Sequence, residues 1–351
     1  MESFSQSRRR LVAWALVTLA LVVGLYVGLP RLAGLEDTWG RISQGDPWWL
    51  AAAVLLEACS YGGYVILFRG IFAREGSLLG WRASYEITMA GVAATRVFAA
   101  GGAGGIALSA WALTRAGMSR REIVEGLTAF LAALYAVFMG ALIVCGVGLR
   151  TGVLPGDSPI GVTVVPAAFA AICFAVCLTA ALLPHDLDRR LRSRLEHRPR
   201  LARVVAAIAA GAAAVAQGVR GALRMLRARD PALLGAVAWW GFDIAVLWAC
   251  FHAFGEPPTI AVLVMAYFTG MLGNLLPLPG GIGGVEGGMI GALIAFDVPS
   301  GLAVVSVLSY RAFAFWLPTL PGLIAYLGLR RTVKDWEMAP AGTAGSGPSS
   351  G

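Results

Sequence analysis

The sequence predicts an all-α polytopic membrane protein with about six full spans and two oppositely oriented re-entrant helical hairpins arranged as an inverted repeat. Three observations carry that prediction. Of 351 residues, 58% are hydrophobic and only 14% charged, against roughly 25% charged in an ordinary soluble domain. Apolar runs long enough for a helix to cross a hydrocarbon core recur between Leu11 and Leu329. Two of those runs are broken centrally by the same glycine pattern. A water-soluble enzyme is excluded by the first two observations alone.

The elements follow in order. Arg8, Arg9 and Arg10 precede the run 11–29, and no A-x-A cleavage pattern follows it, so it reads as an uncleaved first span. A polar stretch with Glu36, Asp37 and Asp46 leads to Trp48 and Trp49, interfacial aromatics that open a second span ending near Phe72. Arg69, Arg74 and Arg82 then mark the basic side. As one helix, 85–115 would be about 45 Å long, too long for a core of about 30 Å. It would also leave Arg115, Arg120 and Arg121 on the wrong side. A hairpin turning at Gly101, Gly102, Gly104 and Gly105 satisfies both length and charge.

The run 123–149 crosses outward, Pro155, Gly156 and Asp157 turn, and 160–183 crosses back. A block at 185–203 then carries seven arginines. Beyond it, Gln217, Arg220, Arg224 and Arg227 share one helical face, so 204–226 reads as an interfacial helix, with a further span as the alternative. The run 232–254 crosses outward. The segment 260–296 is again too long for one span and is broken by Pro277, Pro279, Gly280, Gly281, Gly283 and Gly284. The last run, 302–329, crosses inward, and Arg330, Arg331 and Lys334 hold its end. The expected organisation is a first membrane half at 1–183 with its hairpin near 84–116, and a basic cytoplasmic segment with the interfacial helix at 184–230. A second half at 231–332, with a hairpin near 260–296, and a disordered tail at 333–351 complete it.

The two GGxGG strings lie 179 residues apart, each in a broken apolar segment followed by a full span. Half-molecules so related enclose a site near the bilayer midplane, where half-helix ends present partial charges to a polar cargo. Chance similarity in a chain with 45 glycines, or close helix packing, is the simpler alternative.

Five ionisable residues fall inside apolar segments: Glu57, Arg96, Asp243, Glu286 and Arg311. An unpaired charge at the bilayer centre costs at least about 2.5 to 3.5 kcal/mol, so each is a candidate site residue. Glu286 and Arg311 read either as a structural ion pair or as part of a cargo site. In the second reading Arg96 and Arg311, one from each half, hold an anionic headgroup through forked hydrogen bonds to phosphate. The carboxylates Glu286, Glu57 and Asp243 then contact cationic or hydroxylated groups, or carry protons.

Other chemistry finds no support. No GxxxxGK[ST] string is present, and the match of residues 102–107 to G-x-G-x-x-A lacks a preceding strand. The five cysteines form no CxxC pair and read as small buried hydrophobes, and His185, His197 and His252 form no ligand cluster. No cofactor, metal or nucleic-acid partner is expected; beside a membrane the basic block attracts anionic lipid instead. The net charge of +8, from 27 Arg and one Lys against 20 acids, is mostly an orientation signal of the positive-inside kind. It places both termini in the cytoplasm of a protein of the cell's inner (plasma) membrane.

The string Leu276-Pro277-Leu278-Pro279-Gly280-Gly281-Ile282-Gly283-Gly284-Val285-Glu286, with Leu308-Ser309-Tyr310-Arg311 and Pro318 to Gly322, resembles the lysylphosphatidylglycerol synthase transmembrane region family. Residues Gly101 to Leu113 and Arg115-Ala116-Gly117-Met118-Ser119 are similar to that family's first hairpin and following turn. The likeness covers residues 10 to 332. It implies movement of aminoacylated phospholipid, or of other lipids and lipid-linked sugars, between leaflets. The chain ends soon after the last span, so a stand-alone member without the synthase's soluble domain is expected.

The leading expectation is a lipid translocase, not an enzyme, whose cargo is an anionic phospholipid, an aminoacyl-phospholipid or a polyprenyl-phosphate-linked lipid. Two alternatives stay open. One is a non-catalytic membrane partner or scaffold of a glycosyltransferase or lipid-modifying enzyme; the other is an intramembrane transferase using Glu286 or Asp243 as a general base.

Overall fold

The computed structural model describes residues 44–73, 77–97, 103–182, 199–275 and 281–338, and every regular element among them is a helix. Helix α1 spans Pro47–Phe72, with Asp46 accepting from the Trp48 backbone N–H at 2.9 Å and a proline at the first helical position. Helices α2 (Trp81–Val97) and α3 (Ala103–Arg115) form a pair. Helix α4, Arg120–Arg150, opens with a reciprocal cap: the Ser119 N–H donates to Glu122 at 3.0 Å and the Glu122 N–H to the Ser119 hydroxyl at 3.3 Å. Then come α5 (Val164–Leu182), α6 (Pro199–Arg227) and α7 (Leu234–Phe254). A second pair follows, α8 (Ile260–Met271) and α9 (Gly284–Ala295), and the last helices are α10 (Ser300–Arg311) and α11 (Thr319–Met338).

Five stretches among the described residues are long and apolar enough to cross a membrane: α1, α4, α5, α7 with its leading turn, and α10 through α11. Each coincides with an expected span; the sixth, 11–29, lies outside the described residues. The bundle turns large apolar side chains outward, among them Leu55, Val144, Ile172, Val176 and Ile324. In water that surface is an aggregation hazard, and in a bilayer it is the correct solvent-facing surface. Cys59 belongs to it and is exposed, Cys145, Cys173 and Cys177 are half-buried, and only Cys250 is fully buried, which corrects the expectation of five buried thiols.

The two ends of the bundle can be told apart from contacts. Helices α1 and α7 run antiparallel: the Asp46 N–H donates to the Ala253 carbonyl at 3.0 Å, and at the other end Gly70 lies on Ala232. Phe72 packs on Gly126 near the start of α4, whereas the turn after α4 is tied to the start of α8 by the Thr259 hydroxyl on the Pro155 carbonyl at 2.9 Å. One end therefore carries Arg69, Arg82, Arg115, Arg120, Arg121, Arg330, Arg331 and Lys334 around a hydrophobic cluster of Phe72, Leu113, Ile123 and Val333. The other carries Asp46, Asp157, Glu256 and Asp297, with Arg150 beside them, around a larger cluster that includes Phe251, Phe268, Leu293 and Phe296.

The pairs open to opposite ends. Helix α2 starts beside Arg69, which donates to the Leu79 carbonyl at 3.4 Å, and α3 finishes where Arg115 pairs with Glu337, both at the arginine-rich end. Helices α8 and α9 start and finish at the acidic end, at Thr259 and Phe296. A helix of 12 residues, such as α8 or α9, is about 18 Å long, short of a crossing. Within each pair the backbones nearly touch: a Cβ on Gly105 would stand 2.7 Å from the Gly91 carbonyl oxygen, and one on Gly273 2.7 Å from the Val285 nitrogen. Of the turning residues expected from sequence, Gly101, Gly102, Pro277, Pro279 and Gly280 lie outside the described residues.

One departure stands out. The last span is not one helix: α10 ends at Arg311, a π-helical turn covers Ala312–Trp316, and α11 begins at Thr319. The cause is Pro318, which has no N–H to offer the Ala314 carbonyl four residues earlier. Helix α6 packs on α4 and α5, with Gly218 against the Thr128 backbone and Gly221 against Ala129.

Candidate functional site

The break in the last span is where both helix pairs meet. From the first pair, Arg96 in the last turn of α2 crosses to it. Its Nη1 donates to the Phe315 carbonyl and, at 3.0 Å, to the Thr319 hydroxyl. Its Nη2 donates to the Ala314 carbonyl at 2.8 Å and the Tyr61 hydroxyl at 2.6 Å. The Ala314 carbonyl is the one Pro318 deprives of its helical donor, so the guanidinium replaces a missing backbone N–H. At membrane depth no water is there to do so.

From the second pair comes Glu286, in the first turn of α9. Its Oε2 accepts from the Gly283 N–H at 2.7 Å and its Oε1 from Arg311 Nε at 2.6 Å. Both side chains of the pair are almost wholly buried. Gly283 adopts a φ of +87°, which strains any residue with a Cβ, and this conformation aims its N–H back at Glu286. Gly281, at φ +68°, and Gly284 complete the turn into α9. Gly104 and Gly105 open α3, where Gly105 serves the close approach to α2. Phe315 lies between the two arginines, its ring centroid 5.0 Å from the Arg96 guanidinium carbon and 4.5 Å from that of Arg311.

The remaining carboxylates sit on the α1–α7 seam. Asp243 Oδ2 accepts from Tyr267 at 2.5 Å and Tyr310 at 3.3 Å, while Oδ1 meets no donor among the described residues. Glu57, only 3% exposed, likewise has Oε2 without a donor. Glu57, Asp243 and Arg96 are close enough to interact electrostatically. Glu57 lines a lateral groove of about 660 Å³ between α1, α2 and the broken helix. Its walls include Tyr61, Trp81, Arg82, Tyr85 and Pro318.

Arg96 and Arg311 thus meet at Phe315, with Glu286 bonded to Arg311. Glu57 and Asp243 form an adjoining acidic pair. The sequence reading missed Tyr61, Tyr267, Tyr310, Phe315 and Thr319. For Tyr61 a signal was present, since it lies four residues after Glu57 on the same helical face.

Similarity to known proteins agrees with this architecture. Over 100 residues the chain is 33% identical to a UPF0104 membrane protein of Methanothermobacter thermautotrophicus, covering 28% of each. A second match in the same organism, also a UPF0104 membrane protein, is 36% identical over 86 residues, 24% of this chain and 26% of the relative. A UPF0104 membrane protein of Methanocaldococcus jannaschii is 29% identical over 103 residues, 29% of this chain and 31% of the relative. These matches span less than a third of the relatives' length. The model of one family, by contrast, matches residues 12–322, nearly the whole membrane region built above, and the chain belongs to that family, the lysylphosphatidylglycerol synthase TM region.

Proposed function

We propose that the protein is a lipid translocase, moving an anionic phospholipid, an aminoacyl-phospholipid or a polyprenyl-phosphate-linked lipid between leaflets. The observation that carries this reading is the convergence of two oppositely opening helix pairs on a broken helix, with ions of both signs buried there and a groove open to the side. A lipid headgroup needs a polar route flanked by a lateral opening, because its acyl chains remain in the bilayer. The groove supplies the opening, and Glu57, Tyr61 and Arg96 begin the polar route.

In this reading Arg96 exchanges its carbonyl partners for phosphate oxygens, and Arg311, held in orientation by Glu286, receives the phosphate further along. Both guanidiniums are planar forks suited to phosphate. The two helix pairs act as re-entrant hairpins, one closing the route from each face. By the positive-inside rule the arginine-rich end faces the cytoplasm of the inner (plasma) membrane.

The test is reconstitution in liposomes with fluorescent phosphatidylglycerol, scoring lipid that reaches the inner leaflet by protection from dithionite. The expected result is protein-dependent translocation that the double substitution Arg96→Ala, Arg311→Ala abolishes. Translocation at the unsubstituted rate in that variant would overturn the site, and none with the unsubstituted protein on any anionic lipid would overturn the function.

A further inference from the structure

The ions at the centre do not balance. Glu286 and Arg311 neutralise each other. That leaves two carboxylates, Glu57 and Asp243, with one cation, Arg96, within electrostatic reach of both. Arg96 directs its Nη1 and Nη2 bonds to two carbonyls, a threonine hydroxyl and a tyrosine hydroxyl, and to neither carboxylate. Each carboxylate keeps one buried oxygen without a donor among the described residues. Two like charges this close, with one shared counter-ion, cannot both stay ionised in a medium without water. We propose that Glu57 and Asp243 share one exchangeable proton, and that the lateral groove is the path by which it is loaded and released.

The surroundings of the pair support this assignment. Facing Glu57 are Tyr61 on its own helix, Arg96 from α2, Asp243 and Cys250 from α7 and Tyr310 from α10. Facing Asp243 are Tyr267 from α8, Tyr310 and Arg311 from α10, and Arg96. The phenols donate to Asp243 and hold part of its charge in place. Glu57, by contrast, has no hydroxyl among the described residues bonded to its Oε2 and lines the groove directly. Proton exchange therefore takes place at Glu57, with Asp243 as the inner partner. In the translocase, on which the coupling part of this inference rests, the protein alternates between protonated and ionised pairs as the headgroup passes. Proton movement across the membrane is then linked to lipid movement.

Two measurements decide it. The first is the infrared spectrum of the purified protein near neutral pH, which shows a protonated-carboxyl stretching band if the pair holds a proton. Either Glu57→Gln or Asp243→Asn, each nearly isosteric, should remove that band, because the remaining carboxylate then has Arg96 to itself. Absence of the band in the unsubstituted protein, or its survival in both variants, overturns the shared proton. This readout stands whether or not lipid is moved. The second uses sealed liposomes with a one-unit pH difference and reads the steady-state leaflet distribution of the fluorescent lipid. One proton per lipid shifts that distribution by up to about tenfold; Glu57→Gln should abolish the shift. A distribution indifferent to the gradient, while translocation proceeds, overturns the coupling and leaves the translocase standing. Failure of translocation itself overturns the coupling together with the proposed function, while the infrared result still decides the proton.

Discussion

Arg96 bonds to carbonyls 218 and 219 residues further along the chain, and its value lies in the shape of its head group as much as in its charge. A lysine there keeps the charge but offers one compact ammonium, unable to span the Ala314 and Phe315 carbonyls, Thr319 and Tyr61 together. The Phe315 carbonyl keeps the Thr319 hydroxyl at 2.8 Å, but the Ala314 carbonyl left without the guanidinium costs about 1 to 3 kcal/mol. Arg96→Lys should therefore lower the thermal unfolding midpoint in detergent clearly, and a midpoint equal to that of the unsubstituted protein would show that the four bonds contribute nothing. The Glu286–Arg311 pair makes a different prediction. Removing one partner strands a buried charge, at about 3 to 5 kcal/mol. Glu286→Gln should destabilise by that order, and the double variant Glu286→Gln, Arg311→Met should recover most of the loss in the same unfolding assay. Glu57, Arg96, Asp243, Glu286 and Arg311 were legible in the sequence as charges inside apolar runs; Glu86, buried between Arg82 and Thr332, was not singled out. The partners of those five were not legible, because backbone carbonyls carry no sequence signal, and of the tyrosines only Tyr61, one helical turn after Glu57, had one.

At the scale of elements, the helix pairs depend on glycine at their contact lines. Gly105→Leu places a side chain where the Gly91 carbonyl stands, so α2 and α3 must separate and Arg96 moves with the end of α2. Overpacking of this kind costs about 1 to 3 kcal/mol. The expected outcome is loss of translocation together with a lowered midpoint, whereas Gly62→Leu, at a position with open space around it, should leave the midpoint unchanged. The pairs themselves were readable from length and charge parity. The break at Ala312–Trp316 was not, since Ala312 to Trp316 reads as a continuous apolar aromatic stretch. Only Pro318 hints at it, and many membrane helices accommodate a proline through neighbouring groups. Here that neighbour is an arginine from the other half of the chain.

For the whole molecule, the separation of basic and acidic ends fixes what each face should expose. In a background free of the native cysteines, a cysteine at Ser119 and one at Asp157 should react with a membrane-impermeant maleimide from opposite sides of sealed vesicles. Labelling of both from one side would contradict the arrangement of ends drawn from the contacts. The spans were legible because hydrocarbon thickness imposes a minimum length on every crossing helix, a constraint the sequence cannot conceal. The meeting of the two pairs was only partly legible. The repeated glycine strings suggested a relation between halves, but the acidic pair beside the centre depends on the antiparallel register of α1 and α7, which no local pattern encodes.

That register has a mechanical side. Along the seam Gly63 faces the Gly235 carbonyl and Gly70 faces Ala232, so two backbones interlock through small residues from one end of the bundle to the other. Such a joint resists sliding, because every shift along it drives a backbone atom into a methyl group. The last helix is interrupted in the middle and fastened there by side chains from both pairs, and its second part has a seam of its own, with Gly322 against the Met89 carbonyl and Ala93 of α2. The molecule is thus built on two joints, α1 with α7 and α2 with α11, and Arg96 is the cross-tie that fastens one to the other at the break.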